Sequence, residues 1–210
     1  MIKAPVLIIL AGGKSSRMMS PKGLLDFQGK PWILEQISRF TNVKNPNVYV
    51  GLGYDHELYF ELIPWFKKAV NNTFIYKGVK VRIIINTAPQ YGPFSTLQRV
   101  LKNIDPKRTI LVHPIDVPFI DEKNLISLIN EKNTIVVPVC ENKKGHPVKL
   151  KPKFWVDLLN INLSSETARL DRQIKNYDTS SVTYINLDYK PLYQNINTIE
   201  LWNKYLKEST

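Results

Sequence analysis

The apolar residues of the chain are gathered into short runs that alternate with longer amphipathic stretches. Six runs rich in valine, isoleucine and leucine have the length of strands: residues 6–10, 47–52, 81–85, 109–113, 134–139 and 181–186. Runs that are apolar at nearly every position are typical of strands buried on both faces, and such strands belong mostly to parallel sheets. The pattern therefore predicts an α/β fold, with a mostly parallel sheet and helices on both of its faces.

The stretches between these strands carry apolar residues at helical spacing. Pro31 fits the first turn of one helix, whose apolar positions are 33, 34, 37 and 40. Asp55 fits the N-cap of a second helix, which Pro64 would kink or end. The apolar residues predicted for that second helix are Leu58, Leu62 and Phe66.

Three further helices are predicted from residues that suit their first turns. Ser95 and Gln98 have the spacing of a capping box, ahead of apolar positions 97, 100, 101 and 104. Asp121 and Thr198 suit the N-cap positions of the other two. The residues of the last helix predicted to face the core are Leu201, Trp202 and Tyr205.

Three loops that follow predicted strands should lie close together. The first loop begins after residue 10, the second comprises residues 86–95, and the third comprises residues 113–119. Right-handed crossovers bring the carboxyl ends of parallel strands to one edge of a sheet, where ligands bind. We therefore expect the three loops to form one cleft. The sequence contains no linker or repeat, so we also expect one domain spanning residues 1–210.

Residues 71–80 fit either a loop or a short hairpin.

The first of these loops combines adjacent glycines with basic residues. Residues 10–22 read Leu-Ala-Gly-Gly-Lys-Ser-Ser-Arg-Met-Met-Ser-Pro-Lys. Gly12 and Gly13 lack a Cβ, so their backbone N–H groups can approach an anion, and Arg17 and Lys22 add positive charge. Such a loop after a strand can hold the phosphates of a nucleotide. The alternative is a plain glycine turn with solvated basic side chains.

Two common nucleotide motifs are excluded by the spacing of the glycines. Gly13, Lys14 and Ser15 resemble the end of a P-loop, but that motif needs a glycine five positions before Gly13, where Ile8 stands. The adjacency of Gly12 and Gly13 also excludes the Gly-x-Gly-x-x-Gly pattern of a dinucleotide fold.

Asp116 is the second informative residue, because it follows the fourth predicted strand and has a proline on each side. Pro114 and Pro118 restrict the backbone around it. A carboxylate at the carboxyl end of a strand, opposite a phosphate loop, is suited to bind Mg²⁺ together with phosphate and water. The alternative is that Asp116 forms a turn or a helix cap. Asp121 already supplies a cap, which lessens the need for a second one.

Other polar residues are weaker candidates. Asn197 could add an amide oxygen to a metal site, or bond its own backbone, which is the commoner role of asparagine in loops. His146 follows a glycine turn and can either bond a ligand or serve the turn. We expect His113 to be buried and His56 to lie on a helix surface. The histidines do not have the spacing of zinc ligands, and the sequence has no Gly-x-Ser-x-Gly motif.

Length, composition and charge limit the kinds of protein to which this chain can belong. The 210 residues suffice for one α/β domain with a full core, and 43% of them are apolar. Cys140 is the only cysteine, which excludes an internal disulfide and fits a cytoplasmic protein. The first apolar run is too short to span a membrane. The formal charge is +11, but the basic residues are scattered, which argues against nucleic acid and suits anionic substrates.

In these motifs the chain resembles the molybdopterin guanylyl- and cytidylyltransferases and their MobA-like NTP transferase relatives. The resemblance covers nearly the whole length. The matching segments are Leu10-Ala11-Gly12-Gly13 with Arg17 and Met18, Pro21-Lys22 with Leu24-Leu25, Gly29 with Pro31, Gly92 with Ser95 and Leu97, Pro114 with Asp116, Pro118 and Phe119, Gly145-His146-Pro147-Val148, and Asn195-Ile196-Asn197-Thr198.

The resemblance implies a Rossmann-like enzyme that transfers a nucleoside monophosphate from an NTP to a phosphorylated acceptor and releases pyrophosphate. Arg17 and Lys22 would neutralise the triphosphate, and Asp116, with Asn197, would bind Mg²⁺. The residues expected in the nucleotide pocket are Leu10, Ala11, Gly12, Gly13, Asn86 and Ser95, with His146 as a further ligand contact.

One departure from the family pattern, at Met19, implies a slightly different turn in the glycine loop, and two further features leave the choice of nucleotide open. Met19 stands where the family usually has glycine, and Asn197 where it usually has aspartate, a variant also seen in the guanylyl branch. The Gly145-His146-Pro147-Val148 segment instead resembles the cytidylyl branch, so GTP and CTP both remain candidates. The acceptor is expected to be molybdopterin, with a sugar or polyol phosphate for glycan synthesis as the alternative. A non-catalytic nucleotide-binding relative is a further alternative, and the sequence does not indicate the oligomeric state.

Overall fold

A computed structural model describes residues 4–15, 18 and 20–209 of the chain. In that part of the chain the strands are β1 (Val6–Ala11), β2 (Asp26–Phe27), β3 (Lys30–Pro31), β4 (Asn47–Leu52), β5 (Phe74–Tyr76), β6 (Val79–Ile85), β7 (Ile110–Pro114), β8 (Ile135–Cys140), β9 (Lys143–Lys144), β10 (Val148–Leu150) and β11 (Val182–Asn186). The helices are α1 (Trp32–Ser38), α2 (His56–Leu62), α3 (Trp65–Asn71), α4 (Pro93–Leu101), α5 (Glu122–Asn130), α6 (Pro152–Trp155), α7 (Leu170–Lys175) and α8 (Ile199–Glu208).

The main sheet is mixed but mostly parallel along its length. Its strand order is β11-β8-β10-β7-β1-β4-β6-β5, and β9 pairs with β8. The β1 strand is parallel to both β4 and β7, β4 to β6, and β8 to β11, which confirms the six strands predicted from the apolar runs. The short β10 strand is antiparallel to both β7 and β8, which it separates.

The two faces of β1 contribute to two different hydrophobic clusters, because successive strand residues point to opposite faces. Leu7 and Ile9 pack in a cluster with α1 and α8, whereas Val6 and Ile8 pack in a cluster with α4. All four side chains are at most 2% exposed. The sheet is therefore covered on both faces, as the apolar runs predict.

Trp32 anchors the first of these clusters, at the start of α1. Its side chain is 1% exposed, and its ring lies 5.0 Å from the ring of Phe27 and 5.3 Å from that of Trp202. The Trp32 indole also donates a hydrogen bond from Nε1 to the carbonyl of Ile115 at 2.9 Å. The helix that follows Pro31 thereby holds the backbone next to Asp116.

The helix predicted after Asp55 is divided in two. Pro64 follows the end of α2 and precedes α3, and Asp55 lies at the N-cap position without a side-chain capping bond. Leu58 is 41% exposed and Leu62 is 63% exposed, so of the three apolar residues predicted for this helix only Phe66 lies in the core. The break resets the helical phase, and Tyr59 fills the core in their place.

Two of the four predicted caps form side-chain capping bonds. Asp121 accepts from the backbone N–H of Asn124 at 2.8 Å, and Thr198 accepts from that of Leu201 at 3.3 Å. The capping box at Ser95 is wrong, because α4 begins at Pro93 and has Gly92 at its N-cap. In α8, Trp202 and Tyr205 are buried as predicted, but Leu201 is 44% exposed.

Residues 71–80 contain the first strand of a short hairpin, which settles one of the open alternatives. The β5 strand pairs antiparallel with β6, and the turn between them has Lys77 and Gly78 at positive φ. Glycine adopts such a φ without steric cost. None of the helices in the described ranges is long and apolar enough to cross a membrane.

Candidate active site

The glycine loop and Asp116 follow the two neighbouring strands at which the strand order reverses. From β1 the chain proceeds to β4 on one side, and β7 pairs with β1 on the other side. In open α/β sheets the crevice at such a switch point is the usual ligand site. Ile115 donates its backbone N–H to the carbonyl of Leu10 at 3.0 Å, so the two loops are hydrogen bonded where they leave the sheet.

Lys22, Asp116 and Asn197 meet at this edge through their side chains. The Lys22 ammonium lies 3.0 Å from Oδ2 of Asp116 and 2.5 Å from Oδ1 of Asn197. The side chains of Lys22 and Asp116 are 16% and 24% exposed, so the ion pair is partly shielded from solvent. Residues from three distant parts of the sequence therefore converge on one charged cluster.

Main-chain contacts fix the position of Asp116 in this cluster. Its carbonyl accepts from the backbone N–H of Ile196 at 2.7 Å, which joins the loop after β7 to the segment that precedes α8. The preceding carbonyl, that of Ile115, accepts from the indole of Trp32. These bonds bring Asp116 and Asn197 together even though 81 positions separate them in the sequence.

A cavity of about 390 Å³ opens between the glycine loop and the charged cluster. Its lining residues are Leu10, Ala11, Gly12, Gly13, Lys14, Ser15, Lys22, Tyr54, Tyr59, Pro89, Gln90, Gly92, Pro93, Thr96, Pro114, Ile115 and Asp116. We call this the loop cavity. It brings together the glycines, a lysine and a carboxylate, the groups expected of a site for a metal-bound triphosphate.

The two glycines of the loop differ in what surrounds them. A Cβ on Gly12 would lie 2.7 Å from Oγ1 of Thr96 and 3.3 Å from the backbone nitrogen of Gly53. A Cβ on Gly13 would meet nothing within 4 Å. Packing against neighbouring elements therefore requires glycine at position 12, whereas Gly13 borders open space.

Alanine substitutions at the two positions should separate packing from binding. We expect Gly12→Ala to lower the free energy of unfolding by about 1–3 kcal/mol through overpacking against Thr96. Gly13→Ala should change it by less than about 0.5 kcal/mol but weaken nucleotide binding about tenfold, because its methyl group takes up room beside the cavity. Chemical denaturation and nucleotide titration of both variants measure these effects. Equal stability of the two variants would contradict this assignment.

Asn86 and Ser95, both expected in the nucleotide pocket, are buried behind its wall. The Asn86 amide donates to Oγ of Ser95 at 2.8 Å and to Oγ1 of Thr96 at 3.0 Å, and its Oδ1 accepts from the backbone N–H of Ala88. Ser95 Oγ also lies 2.8 Å from the carbonyl of Gly92. Thr96, rather than either of them, lines the loop cavity. Contact of Asn86 or Ser95 with a nucleotide stays a prediction.

His146 borders a second cavity, of about 640 Å³, which we call the apolar cavity. The two cavities share Leu10, Gly92, Pro93 and Pro114 in their walls, so they adjoin. Burial lowers the pKa of His146, and the nearby Asp116 opposes that effect only in part. A Cβ on the neighbouring Gly145 would overlap Leu192, so the turn that places His146 requires glycine there.

His113 is fully buried, as predicted from its position in a strand. Its Nε2 lies 2.8 Å from the carbonyl of Val117, and its ring packs edge-on against Phe119 with centroids 5.0 Å apart. Burial, reinforced by the nearby His146, lowers the pKa of His113 to about 3. The imidazole is therefore neutral in the folded protein at neutral pH.

Acidification should destabilise the protein through His113. In the unfolded chain this histidine would titrate near pH 6.5, so below that pH the unfolded state binds the extra proton and the folded state does not. Between pH 6.5 and 5 we expect His113 to make the free energy of unfolding fall with decreasing pH, by at most about 1.4 kcal/mol per pH unit. Denaturant unfolding at several pH values measures the slope. His113→Gln should reduce that slope, and an unchanged slope would show that His113 is protonated in the folded state.

Arg17 and Met19, which the sequence analysis names in the basic loop, lie outside the described residues. The loop cavity also contains side chains that the sequence analysis did not select, among them Tyr54, Tyr59 and Gln90. Tyr59 is 1% exposed, and a Cβ on Gly23 would lie 2.7 Å from its hydroxyl, so it packs directly on the residue after Lys22. The apolar spacing from which this helix is predicted did not include Tyr59.

Comparison with known proteins supports one family. The chain is 23% identical over 202 residues to a molybdenum cofactor guanylyltransferase of Xanthomonas euvesicatoria pv. vesicatoria (strain 85-10), with 96% of this chain and 94% of that protein covered.

Solved structures share the fold over nearly the whole chain. Molybdopterin-guanine dinucleotide biosynthesis protein A from Archaeoglobus fulgidus matches with a TM-score of 0.66 at 16% identity, covering 97% of each chain. A 4-diphosphocytidyl-2C-methyl-D-erythritol synthase from Anaerococcus prevotii matches with a TM-score of 0.68 at 17% identity, covering 98% of this chain and 96% of that chain.

A family model also matches the sequence of this chain. The model for the MobA-like NTP transferase domain matches residues 7–179, which include the glycine loop, Lys22 and Asp116. The resemblance seen in the motifs is thereby confirmed, and the chain belongs to the MobA-like NTP transferase domain family.

Proposed function

We propose that the protein transfers a nucleoside monophosphate from an NTP to a phosphorylated acceptor, with release of pyrophosphate, in molybdenum cofactor synthesis. The observation that carries this proposal is the convergence of Lys22, Asp116 and Asn197 at the edge of the loop cavity. The cavity places backbone amides, a cation and a carboxylate around a volume of about 390 Å³.

The proposed roles follow from the chemistry of each group. The backbone of Leu10, Ala11, Gly12 and Gly13 would hold the base and ribose side of the nucleotide, and Lys22 would neutralise the triphosphate with Arg17. Asn86 and Ser95 would shape the wall through their bonds to the segment that contains Ala88 and Gly92.

The chemical step requires charge compensation more than a covalent nucleophile. An oxygen of the acceptor phosphate attacks the α-phosphorus of the NTP, and a new P–O–P bond forms as the bond to the β-phosphate oxygen breaks. The electron pair of that bond leaves with pyrophosphate. Two anions have to meet, so positioned cations supply most of the rate enhancement.

The donor set at Asp116 and Asn197 fits a hard divalent cation. A carboxylate oxygen and an amide oxygen both contact one positive group, the Lys22 ammonium. Among the described residues, no cluster of three or more histidine, cysteine, aspartate or glutamate side chains could hold a metal ion. Mg²⁺ commonly takes only one or two protein oxygens and completes its shell with phosphate and water. When bound there, it would neutralise charge on the triphosphate and on the leaving pyrophosphate.

The apolar cavity is the proposed acceptor site, since it adjoins the loop cavity. Much of its wall is aliphatic or aromatic: Leu10, Phe94, Leu97, Val112, Val137, Val148, Leu170 and Ile174. Lys144 and Arg169 also line it and can attract a phosphate. Aliphatic and aromatic side chains can pack against the faces of a flat ring. We therefore propose an acceptor with a ring-containing body, such as molybdopterin, and keep a sugar or polyol phosphate as the alternative.

The proposed unit is the whole chain, residues 1–210, as one domain. The family model ends at residue 179, but α8 follows it and packs Trp202 against Trp32 with ring centroids 5.3 Å apart. Asn197, which precedes α8, belongs to the charged cluster. The carboxyl-terminal segment thus supports the proposed site directly.

Release of pyrophosphate tests the proposed reaction. The protein, with Mg²⁺, would be incubated with GTP, CTP, ATP or UTP and with molybdopterin, a hexose 1-phosphate or a polyol phosphate. We expect release that depends on molybdopterin and is fastest with GTP, because the similar Xanthomonas protein is named a guanylyltransferase. Release with a sugar phosphate alone would replace the acceptor. Nucleotide binding without release in any combination would favour the non-catalytic alternative.

A further inference from the structure

The Lys22 ammonium occupies the place where the proposed metal ligands point. It lies 3.0 Å from Oδ2 of Asp116 and 2.5 Å from Oδ1 of Asn197, so it contacts an oxygen from each of the two proposed ligands. An ammonium offers only donors, and both oxygens are acceptors. In this structure the lysine thus acts as the cation of the Asp116–Asn197 pair.

A second cation cannot use the same oxygens while the ammonium remains. Two like charges within contact distance repel strongly where the groups are shielded from solvent, and the side chains of Lys22 and Asp116 are 16% and 24% exposed. We propose that Lys22 and a divalent cation exclude each other at Asp116 and Asn197, and that the triphosphate opens the metal site by drawing Lys22 away. This inference rests on the metal-binding role proposed for Asp116.

The backbone at Lys22 is held in place, but its side chain has room to move. The Lys22 N–H donates to Oγ of Ser15 at 3.2 Å, and the Tyr59 hydroxyl packs on the next residue, Gly23. The Lys22 side chain also lines the loop cavity. Its four-carbon chain can therefore exchange the carboxylate for a phosphate by rotating side-chain bonds, without movement of the sheet edge.

The exchange also explains why one lysine can serve two states. In the nucleotide-free protein its charge balances Asp116, so the carboxylate is not left unpaired at the partly buried edge. When a metal-bound triphosphate enters, the metal takes over that role and the ammonium is free to bind phosphate. Metal and nucleotide binding should therefore be coupled, each favouring the other.

Binding of Mn²⁺ alone, without nucleotide, tests this exclusion. Free Mn²⁺ would be measured by electron paramagnetic resonance for the wild-type chain, Lys22→Met, Asp116→Asn and the double variant. Methionine keeps an unbranched side chain but removes the charge. We expect Lys22→Met to bind Mn²⁺ at least about fivefold more tightly than the wild type, because the competing cation is gone. Adding Asp116→Asn to Lys22→Met should abolish that gain.

Lys14→Met is the matched control, because Lys14 lines the same cavity but lies on its exposed side. It should tighten Mn²⁺ binding less than about twofold, since a solvated charge is screened. If Lys22→Met does not fold, judged by thermal unfolding, Lys22→Gln takes its place.

The outcomes separate this inference from the proposed function. Unchanged or weaker Mn²⁺ binding by Lys22→Met, with binding still lost in Asp116→Asn, would overturn the exclusion and leave the metal role of Asp116 standing. A gain equal to that of Lys14→Met would also overturn it, as a general charge effect. Mn²⁺ binding that is insensitive to Asp116→Asn in both backgrounds would overturn both proposals.

Discussion

Asp116→Asn should lower the rate of nucleotidyl transfer about a thousandfold while leaving the protein folded. Asparagine keeps the shape of the side chain but removes its negative charge, so the proposed cation loses its only charged protein ligand in the cluster. A factor of a thousand corresponds to about 4 kcal/mol of transition-state stabilisation, within the range found for charge-stabilising groups. Single-turnover rates at saturating NTP and Mg²⁺ measure the effect.

The control for this variant is Asp105→Asn. Asp105 lies in the exposed segment before β7, at the opposite end of that strand from Asp116. Its loss should leave the rate within about twofold of the wild type, as expected for a surface change remote from the site. An Asp116→Asn protein that turns over at a normal rate would remove Asp116 from the reaction.

Lys22→Met should lower the transfer rate about a hundredfold, even when Mg²⁺ is saturating. The variant loses the positive charge that would bind the triphosphate and compensate its developing charge. The same change is expected to tighten binding of the metal alone, so metal affinity and rate should move in opposite directions. Transfer rates measured alongside Mn²⁺ binding test that divergence.

Lys107→Met provides the comparison for the loss of one lysine from a protein of net charge +11. Lys107 is exposed and lies in the segment before β7. It should retain nearly the full rate. If both lysine variants lose activity equally, the effect comes from the overall field of the protein and not from a contact at the site.

The parallel part of the sheet could be predicted from the sequence because its strands are buried on both faces. Runs such as residues 47–52 are apolar at most positions, and such runs are typical of the buried strands of parallel sheets. The β10 strand could not be placed in the same way. It is only three residues long, and its position between β7 and β8 depends on antiparallel pairing with distant strands.

The convergence of the glycine loop and Asp116 could be predicted from strand order alone. Both follow parallel strands, and such strands end at one edge of a sheet. The approach of Asn197 could not be derived by that rule, because Asn197 lies well past the end of β11 and close to the start of α8. It depends on the bond from Ile196 to the carbonyl of Asp116, which a sequence pattern does not encode.

Asn86 and Ser95, unlike Asp116, do not line the loop cavity. A sequence can show that polar residues follow a strand, but not whether their polar atoms face a ligand or bond one another. Here the Asn86 amide bonds the Ser95 and Thr96 hydroxyls, and it is Thr96 that reaches the loop cavity. The difference of one position along α4 decides which of the two residues lines the cavity.

The central claim is that the glycine loop and Asp116 form one pocket for a metal and a triphosphate. A crystal structure with Mn²⁺ and a non-hydrolysable α,β-methylene analogue of GTP tests it most directly. We predict an anomalous signal for Mn²⁺ between Asp116 and Asn197, the base and ribose side of the nucleotide along the backbone of Gly12 and Gly13, and the Lys22 ammonium on a phosphate of its triphosphate. A triphosphate bound away from that loop, or Mn²⁺ bound without Asp116, would contradict the account.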